Sequence, residues 1–519
     1  MIKNLLYFVC LLFLCNSCDQ EEEVVVPDPE ADAFINYAFT FEFRESDNAF
    51  QLDTDVACQV VDNEITAFVP YMLKSDSLVA YFTLPVGDTV TVNNEVQLSG
   101  VTKNDFSKPV LYTIKTQNGK LKQYTVKLTT FTGLPTIHIN TEDSLAIDSK
   151  AIPVKAHLKV KGNTAYIQGL YDGDIQIRGR GNSSWHIMPK KSYKITLDRK
   201  AQLLDMPADK EWVLLANYAD KTLMRNYVSL ELSRRLGLKY TPRSRFVEVF
   251  LNHKYMGNYL LTEQIKIAKD RVNIEELNNT DLGNEAITGG YLLEIDGRLD
   301  AKSWFKTNRG VPFCIKSPEN VATGQYEYIK NFIQQTEDVL YSDAFTDGQE
   351  GYAKYINVAS FVNWYLLNEI TKNNDANFFT SVYLYKDRNG KLCMGPVWDY
   401  DIALGNINFN GNDHPEGFWI QQSIWINRLF QDPAFQAKVK ERYNQLKASK
   451  ISTLSQYINQ TATYLSKSQR ENFNLWNILN NYVWPNAVVL GSYEKEVAYL
   501  TDWLEKRITW LDKEFNQQL

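Results

Sequence analysis

The chain has 519 residues, 44% of them hydrophobic and 13% aromatic. That excludes an intrinsically disordered protein and leaves room for two or three domains at the usual ~100–200 residues each. A formal net charge of −7, with no Lys/Arg-rich block, excludes broad nucleic-acid binding.

The N-terminus reads as a targeting segment. "MIKNLLYFVCLLFLCNSC" places Lys3 before an apolar run from Leu5 to Leu14. That run is too short to cross a bilayer, which needs ~20 apolar residues, so residues 1–18 are predicted to be a secretory signal. The end of the segment resembles a bacterial lipobox, which implies lipidation of Cys18 and an outer-membrane anchor. The acidic, proline-containing tether of residues 19–33, "DQEEEVVVPDPEADA", resembles the export tag of Bacteroidetes-type surface lipoproteins. These resemblances imply an exported protein, lipid-anchored in the outer membrane at the cell surface. Beyond the signal, Cys58, Cys314 and Cys393 lie far apart without a CxxC, so neither a disulfide framework nor a structural zinc site is predicted. The five histidines form no HxxxH, and no GxSxG elbow is present.

Residues 34–130 alternate apolar and polar positions in short runs such as "VLYTIKT" and "LKQYTVKLTTF", joined by turns such as Gln117–Lys120 with its Asn-Gly signal. This predicts a β-sandwich of immunoglobulin size, ~100 residues, acting as a spacer or a binding module. From residue 131 strands dominate to about Leu197. A helix is predicted over Thr222–Leu236, stopped by Gly237, and a hairpin turn at Asn252–Lys254. Beyond Tyr326 the pattern is mainly helical, with helices including 432–449 and 454–517. One hairpin island, "SVYLYKDRNGKLCMGPVWDYD", interrupts it. The fold class is therefore α+β, a strand-rich half followed by a helix-rich half in a two-lobed plan over 131–519.

Four stretches carry candidate chemistry. "IRGRGNSSWHIMPKKSYKITLD" (Ile177–Asp198) is a glycine loop rich in backbone donors, with two lysines, Lys190 and Lys191, entering the following strand. Such a loop lets amides approach phosphate oxygens while a lysine offsets their charge. Alternation puts Lys191 on the face of Tyr193 and Ile195, opposite Lys190, Ser192 and Lys194, so Lys191 is the predicted inward lysine. In "DKTLMRNYVSLELSRRLG", Asp220 is a helix-start acid and Glu231 a mid-helix acid that could pair with a strand lysine. "NEITKNNDANFF" ends a helix in a polar cluster around Asp375, a position suited to receiving the proton of a hydroxyl. In "PVWDYDIALGN", Asp399 and Asp401 are hard oxygen donors suited to magnesium. Each stretch also has a bland reading: solvated lysines, a surface glutamate, a helix C-cap, an acidic turn.

Taken in order, these blocks together with "GNYLLTEQI" and "GGYLLEID" resemble the spore coat protein H (CotH) kinase family, over about Leu134 to Leu446. The resemblance implies an atypical protein kinase with a two-lobed kinase-like fold that uses ATP and Mg2+ to phosphorylate Ser or Thr of a protein substrate. It implies Asp375 as the catalytic aspartate, Asp399 as the magnesium ligand with Asp401 as helper, and Lys191 on the phosphates with Arg178 and Arg180 nearby. Where protein kinases carry a metal-binding asparagine five residues after the catalytic aspartate, this chain has Thr380. Either Asn377 substitutes or the metal site is incomplete. The competing reading is a non-catalytic surface lipoprotein for glycan or protein binding, for which Trp304, Trp419 and Trp425 offer stacking surfaces.

Overall fold

The computed structural model describes residues 39–517 apart from 49–50, 53–54, 70–74 and 164. The predicted signal, Cys18 and the acidic tether lie outside the described residues. The chain divides into two compact units, Met1–Thr129 and Thr130–Leu519.

The first unit is β-rich. One sheet of six strands runs in the spatial order Gln59–Val61, Glu64–Val69, Leu121–Thr130, Val110–Lys115, Thr89–Val92, Glu95–Val96. A second sheet places Thr40–Phe43 between Val56–Ala57 and Tyr81–Thr83. Alternation decides which residues are buried: Val110, Tyr112 and Ile114 point inward while Leu111 and Lys115 face solvent. Phe41 and Phe43 from the small sheet share one core with Tyr112 and Ile114 from the large one, and Phe41 meets Tyr112 edge-on at 5.1 Å between ring centres. Gly119, at φ +81°, makes the turn of Gln117–Lys120.

The second unit opens with a closed barrel. Its strands are β1 (Thr136–Thr141), β2 (Val154–Lys161), β3 (Tyr171–Arg180), β4 (Ser192–Leu203), β5 (Met206–Leu215), β6 (Ser244–Leu251) and β7 (Lys254–Glu263). They pair in the order β1-β2-β3-β4-β5-β7-β6, and β6 closes on β1 in parallel, Thr136 opposite Glu248. The lumen is filled by alternate residues, among them Ile137, Leu158, Ile177, Tyr193, Ile195 and Leu261. Short helix α1 (Ser183–Ile187) sits in the β3–β4 connection, and α2 (Arg225–Leu236) lies between β5 and β6. Gly237, at φ +78°, terminates α2: its amide bonds to Arg234 O and the next amide, of Leu238, reaches back to Ser233 O at 3.1 Å. The helix starts three residues later than its apolar spacing predicts because the Asp220 carboxylate gathers Thr222 N, Thr222 Oγ1 and Arg225 N into a tight turn. The β6–β7 turn has Asn252 and His253 both at positive φ, the twist a two-residue hairpin requires.

The rest of the unit is a five-stranded sheet wrapped by helices. Strands β8 (Tyr291–Ile295), β9 (Trp304–Lys306), β10 (Pro312–Ser317), β11 (Val382–Lys386) and β12 (Leu392–Met394) pair in the order β9-β10-β8-β11-β12. The helices are α3 (Thr323–Leu340), α4 (Val358–Thr371), α5 (Ile424–Leu429), α6 (Pro433–Leu446), α7 (Leu454–Tyr464), α8 (Ser466–Leu475) and α9 (Tyr493–Gln517). The helical stretch expected over 454–517 is interrupted: residues 476–492 are not helical, because Pro485 removes a backbone donor and Gly491 adopts φ +82°. α4 is nearly surrounded by the core, with Phe361, Tyr365, Leu366, Leu367 and Ile370 all buried.

Candidate active site

A cavity of about 860 Å3 lies where the outer face of β3–β5 meets the end of α4 and the loops after β8 and β12. On the barrel side, Arg178 and Arg180 leave β3 on the face opposite the buried Ile177, and Arg178 pairs in register with Lys194 of β4. Arg178 donates to Lys150 O. Arg180 donates to Gln264 Oε1 at 3.1 Å and stacks 4.6 Å from the Trp398 ring. The two glycines of this stretch have separate steric reasons. A Cβ on Gly179 would sit 2.2 Å from the Trp185 ring, and Gly181 adopts φ +105° beneath Ser184.

Alternation along β4 is as the sequence predicts, but the cavity is on the other face. Tyr193 and Ile195 enter the barrel lumen, whereas Ser192 and Lys194 line the cavity. Lys191 does not line it: its Nζ donates to Trp185 O at 2.5 Å. Lys194 instead ion-pairs with Glu211 of β5, which also binds Lys266 at 2.9 Å. Burial pushes the Glu211 carboxyl up, but the hydrogen bonds from Lys194 and Lys266 outweigh it and hold the pKa below its ordinary value. Glu231 lies away from the cavity and binds Arg234 and Arg235 on its own helix.

Asp375, Asn377, Asp399 and Asp401 all line the cavity. α4 delivers Asp375: Lys372 turns the chain at φ +46°, and Asn374 Nδ2 then donates to Asp375 Oδ1 at 3.1 Å. Asp399 is itself left-handed, at φ +70°, a conformation that aspartate tolerates better than most residues. Its carboxylate accepts from Ser381 Oγ at 3.1 Å, and its carbonyl accepts from Asn373 Nδ2 at 3.3 Å, tying the loops of the two acids together. The neighbouring Tyr400 amide donates to Asn226 Oδ1 at 2.7 Å, which anchors this loop to α2.

The electrostatics follow from burial among like charges. Burial, then the charge of Asp399, pushes the Asp375 carboxyl up to about 6. Burial also raises Asp399, against the Ser381 hydrogen bond and the charges of Arg180 and Arg298. Asp401 is raised by burial first and then by Asp399, Asp220 and Asp375. A buried group of carboxyls with raised pKa values is where a cation would be stabilised. Among the described residues no three His, Cys, Asp or Glu side chains form a complete metal cage. Magnesium does not need one, since it binds through one or two carboxylates plus substrate phosphates. The donors present therefore fit a magnesium ion held jointly by aspartate and nucleotide.

Site residues that sequence reasoning missed are Lys194, Glu211, Asp296 and Arg298. Glu294 and Asp296 stand two apart in "LLEID", the same spacing as Asp399 and Asp401, and that repetition is the signal that marks them. Glu294 binds Lys316 at 3.1 Å and Asp296 binds Arg298 at 3.1 Å on the cavity wall. Of the three tryptophans considered for sugar stacking, Trp425 is fully buried, Trp304 is exposed on β9, and Trp419 lines the cavity and donates to Asn374 O at 3.1 Å.

A family model described as "CotH kinase protein" matches residues 176–511, and one described as "SGBP, N-terminal" matches residues 48–128. The chain is similar to the inner spore coat protein H of Bacillus subtilis (strain 168), 26% identical over 254 residues, or 49% of this chain and 63% of that protein. The match thus spans less than two thirds of that relative. Among solved structures, a Bacteroides thetaiotaomicron protein provisionally described as a glycoside hydrolase aligns with TM-score 0.15 at 20% identity, over 31% of this chain and 53% of that one. A Bacteroides fragilis protein provisionally described as secreted aligns with TM-score 0.13 at 17% identity, over 18% and 90% respectively.

Proposed function

The chain belongs to the CotH kinase protein family, and we propose that it is an atypical protein kinase that transfers the γ-phosphate of ATP to a Ser or Thr hydroxyl of a protein. The observation that carries this reading is the meeting of Asp375 and Asp399 with Arg178, Arg180 and Lys194 in the lining of one cavity.

Each residue has a role its position supports. Asp375 receives the hydroxyl proton as the acceptor oxygen bonds to the γ-phosphorus and the bond to the bridging oxygen of ADP breaks. Its carboxyl, at about 6, is ionised at neutral pH and still basic enough to take that proton. Asp399 would hold the magnesium ion, with Asp401 or the Asn377 amide as a second donor. Magnesium supplies charge that offsets the β- and γ-phosphate oxygens. Lys194, ion-paired with Glu211, takes the phosphate-facing place expected of Lys191, and Arg178 and Arg180 flank it. Trp398 holds the Arg180 guanidinium by a cation–π contact, 4.6 Å from its ring centre.

Transfer of labelled phosphate from ATP to protein acceptors tests the reading. Asp375→Asn is expected to lower kcat by about 10²–10⁴-fold, and Asp399→Asn to abolish magnesium-dependent ATP binding measured by calorimetry. Wild-type turnover in Asp375→Asn would overturn the assignment. From the sequence we also propose export and outer-membrane anchoring through a lipid on Cys18. Cys18→Ala should then move the protein from the membrane to the soluble fraction, and an unchanged membrane fraction would refute the anchor.

A further inference from the structure

Protein kinases hold a second metal ion with an asparagine five residues beyond the catalytic aspartate. Here that position is Thr380, and its hydroxyl is already engaged. It donates to Asp296 Oδ1 at 3.2 Å and accepts from Arg298 Nη2 at 2.6 Å. Thr380 is buried, so its oxygen is committed to the arginine rather than open to a metal. The same clamp is fixed from the backbone: Gly297 N donates to Phe379 O at 2.9 Å, and Arg298 N donates to Asp296 Oδ1 at 3.0 Å.

On the kinase reading of this cavity, we propose that Arg298 supplies to the transferred phosphoryl group the positive charge that other kinases draw from their second metal, so that the site works with one metal position. Arg298 lines the cavity and its side chain remains 40% exposed. Asp296 and Thr380 engage only Nη2. Among the described residues, Nε and Nη1 donate no hydrogen bond, so two sides of the guanidinium keep charged donors open to phosphate oxygens. Its charge acts on both Asp375 and Asp399, so it lies beside the proton acceptor and the metal ligand together. As the acceptor oxygen bonds to the γ-phosphorus and the bond to ADP breaks, negative charge spreads over the equatorial oxygens. A guanidinium held there stabilises that charge without having to move. Lysine would keep the charge but could not hold Asp296 and Thr380 with one nitrogen while offering others to the phosphate.

The test uses the full chain. Calorimetry with ATP and with ADP, each with magnesium, should show Arg298→Ala weakening ATP about tenfold while leaving ADP within twofold. Its kcat should fall about 10³-fold, at the low end for a transition-state arginine, and Arg298→Lys should fall between. Spin-resonance titration of Mn2+ in the presence of a non-hydrolysable ATP analogue should count one tightly bound ion per chain. Urea unfolding checks that the variants are folded; if Arg298→Ala is not, Arg298→Lys carries the same ATP-against-ADP comparison. Two bound ions in the wild type, or variants with unchanged kcat and ATP preference, overturn the proposal while leaving the kinase reading intact. A wild type that binds no nucleotide overturns both.

Discussion

Lys190 illustrates how much a single position can cost. Its side chain is buried, donating to Asn258 O and to Asn472 Oδ1, the latter at 2.9 Å, above the Tyr259 ring. Burial lowers its pKa from 10.5 to about 7, with Glu248 pulling weakly the other way. The unfolded chain therefore binds more protons than the folded one between those two values, and stability must rise with pH across that window. The slope approaches about 1.4 kcal/mol per pH unit in mid-window. Urea unfolding at pH 6, 8 and 9.5 should show the wild type gaining on Lys190→Met as pH rises. Parallel curves would show that the ammonium is not desolvated. Gly179 is a second residue-scale case. A Cβ there meets the Trp185 ring at 2.2 Å, so Gly179→Ala should push α1 off β3 and lower stability by about 1–3 kcal/mol, read by urea unfolding and Trp fluorescence. Unchanged stability and fluorescence would show that Trp185 yields freely. The parity of the three lysines was legible from alternation. Which face carried the cavity was not, because "inward" in a closed barrel means the packed lumen, and the site is built on the outside.

At the scale of elements, α9 locks the end of α4. Arg507 and Glu369 are both fully buried and meet at 2.7 Å. The Arg507 guanidinium also donates to Glu369 O at 3.1 Å and 2.9 Å, and to Pro415 O and Gly417 O, both at 2.7 Å. Glu369 Oε1 also accepts from Trp419 N at 2.8 Å, and Oε2 accepts from Gln421 N at 2.9 Å. Three residues further on, Lys372 Nζ donates to Gly411 O, His414 O and Glu416 O at 2.8, 2.9 and 2.6 Å. One helix end, one C-terminal arginine and one lysine thus fix the 411–421 loop beside Asp375. Removing one partner of a buried pair costs about 3–5 kcal/mol. Arg507→Met should therefore lower the unfolding free energy by that amount and raise the protease sensitivity of the loop, and a loss within 1 kcal/mol would refute the clamp. The helix periodicity of 493–517 was legible in the sequence, with Val497, Leu500, Leu504, Leu511 and Phe515 on its buried face. The buried arginine was not, since a lone Arg on an apolar stripe looks the same as one snorkelling to solvent. The break at 476–492 had its signal in Pro485 and Gly491, but the flanking apolar spacing concealed it.

At the scale of the molecule, the hairpins and most helices follow from local pattern, while barrel closure does not. Thr136 pairs with Glu248 in parallel, a contact across more than a hundred residues that no local periodicity encodes. The mixed α+β character was legible, because period-two and period-3.6 segments occupy different stretches of the chain. The packed cores respect the division of the chain. Phe41, Tyr112 and Val126 belong to a core drawn wholly from the first unit. The barrel lumen and the large helical core, with Trp212 in one and Trp425 in the other, are drawn wholly from residues beyond 130. Every residue assigned to the candidate active site also lies beyond that point. A unit with its own complete core can fold alone, and the second unit is large enough to bury one. Residues 130–519 expressed alone should therefore unfold cooperatively in calorimetry and bind magnesium–ATP within about twofold of the full chain. An aggregated or non-cooperative fragment would show that the first unit completes the fold. A folded fragment without nucleotide affinity would show that it completes the site.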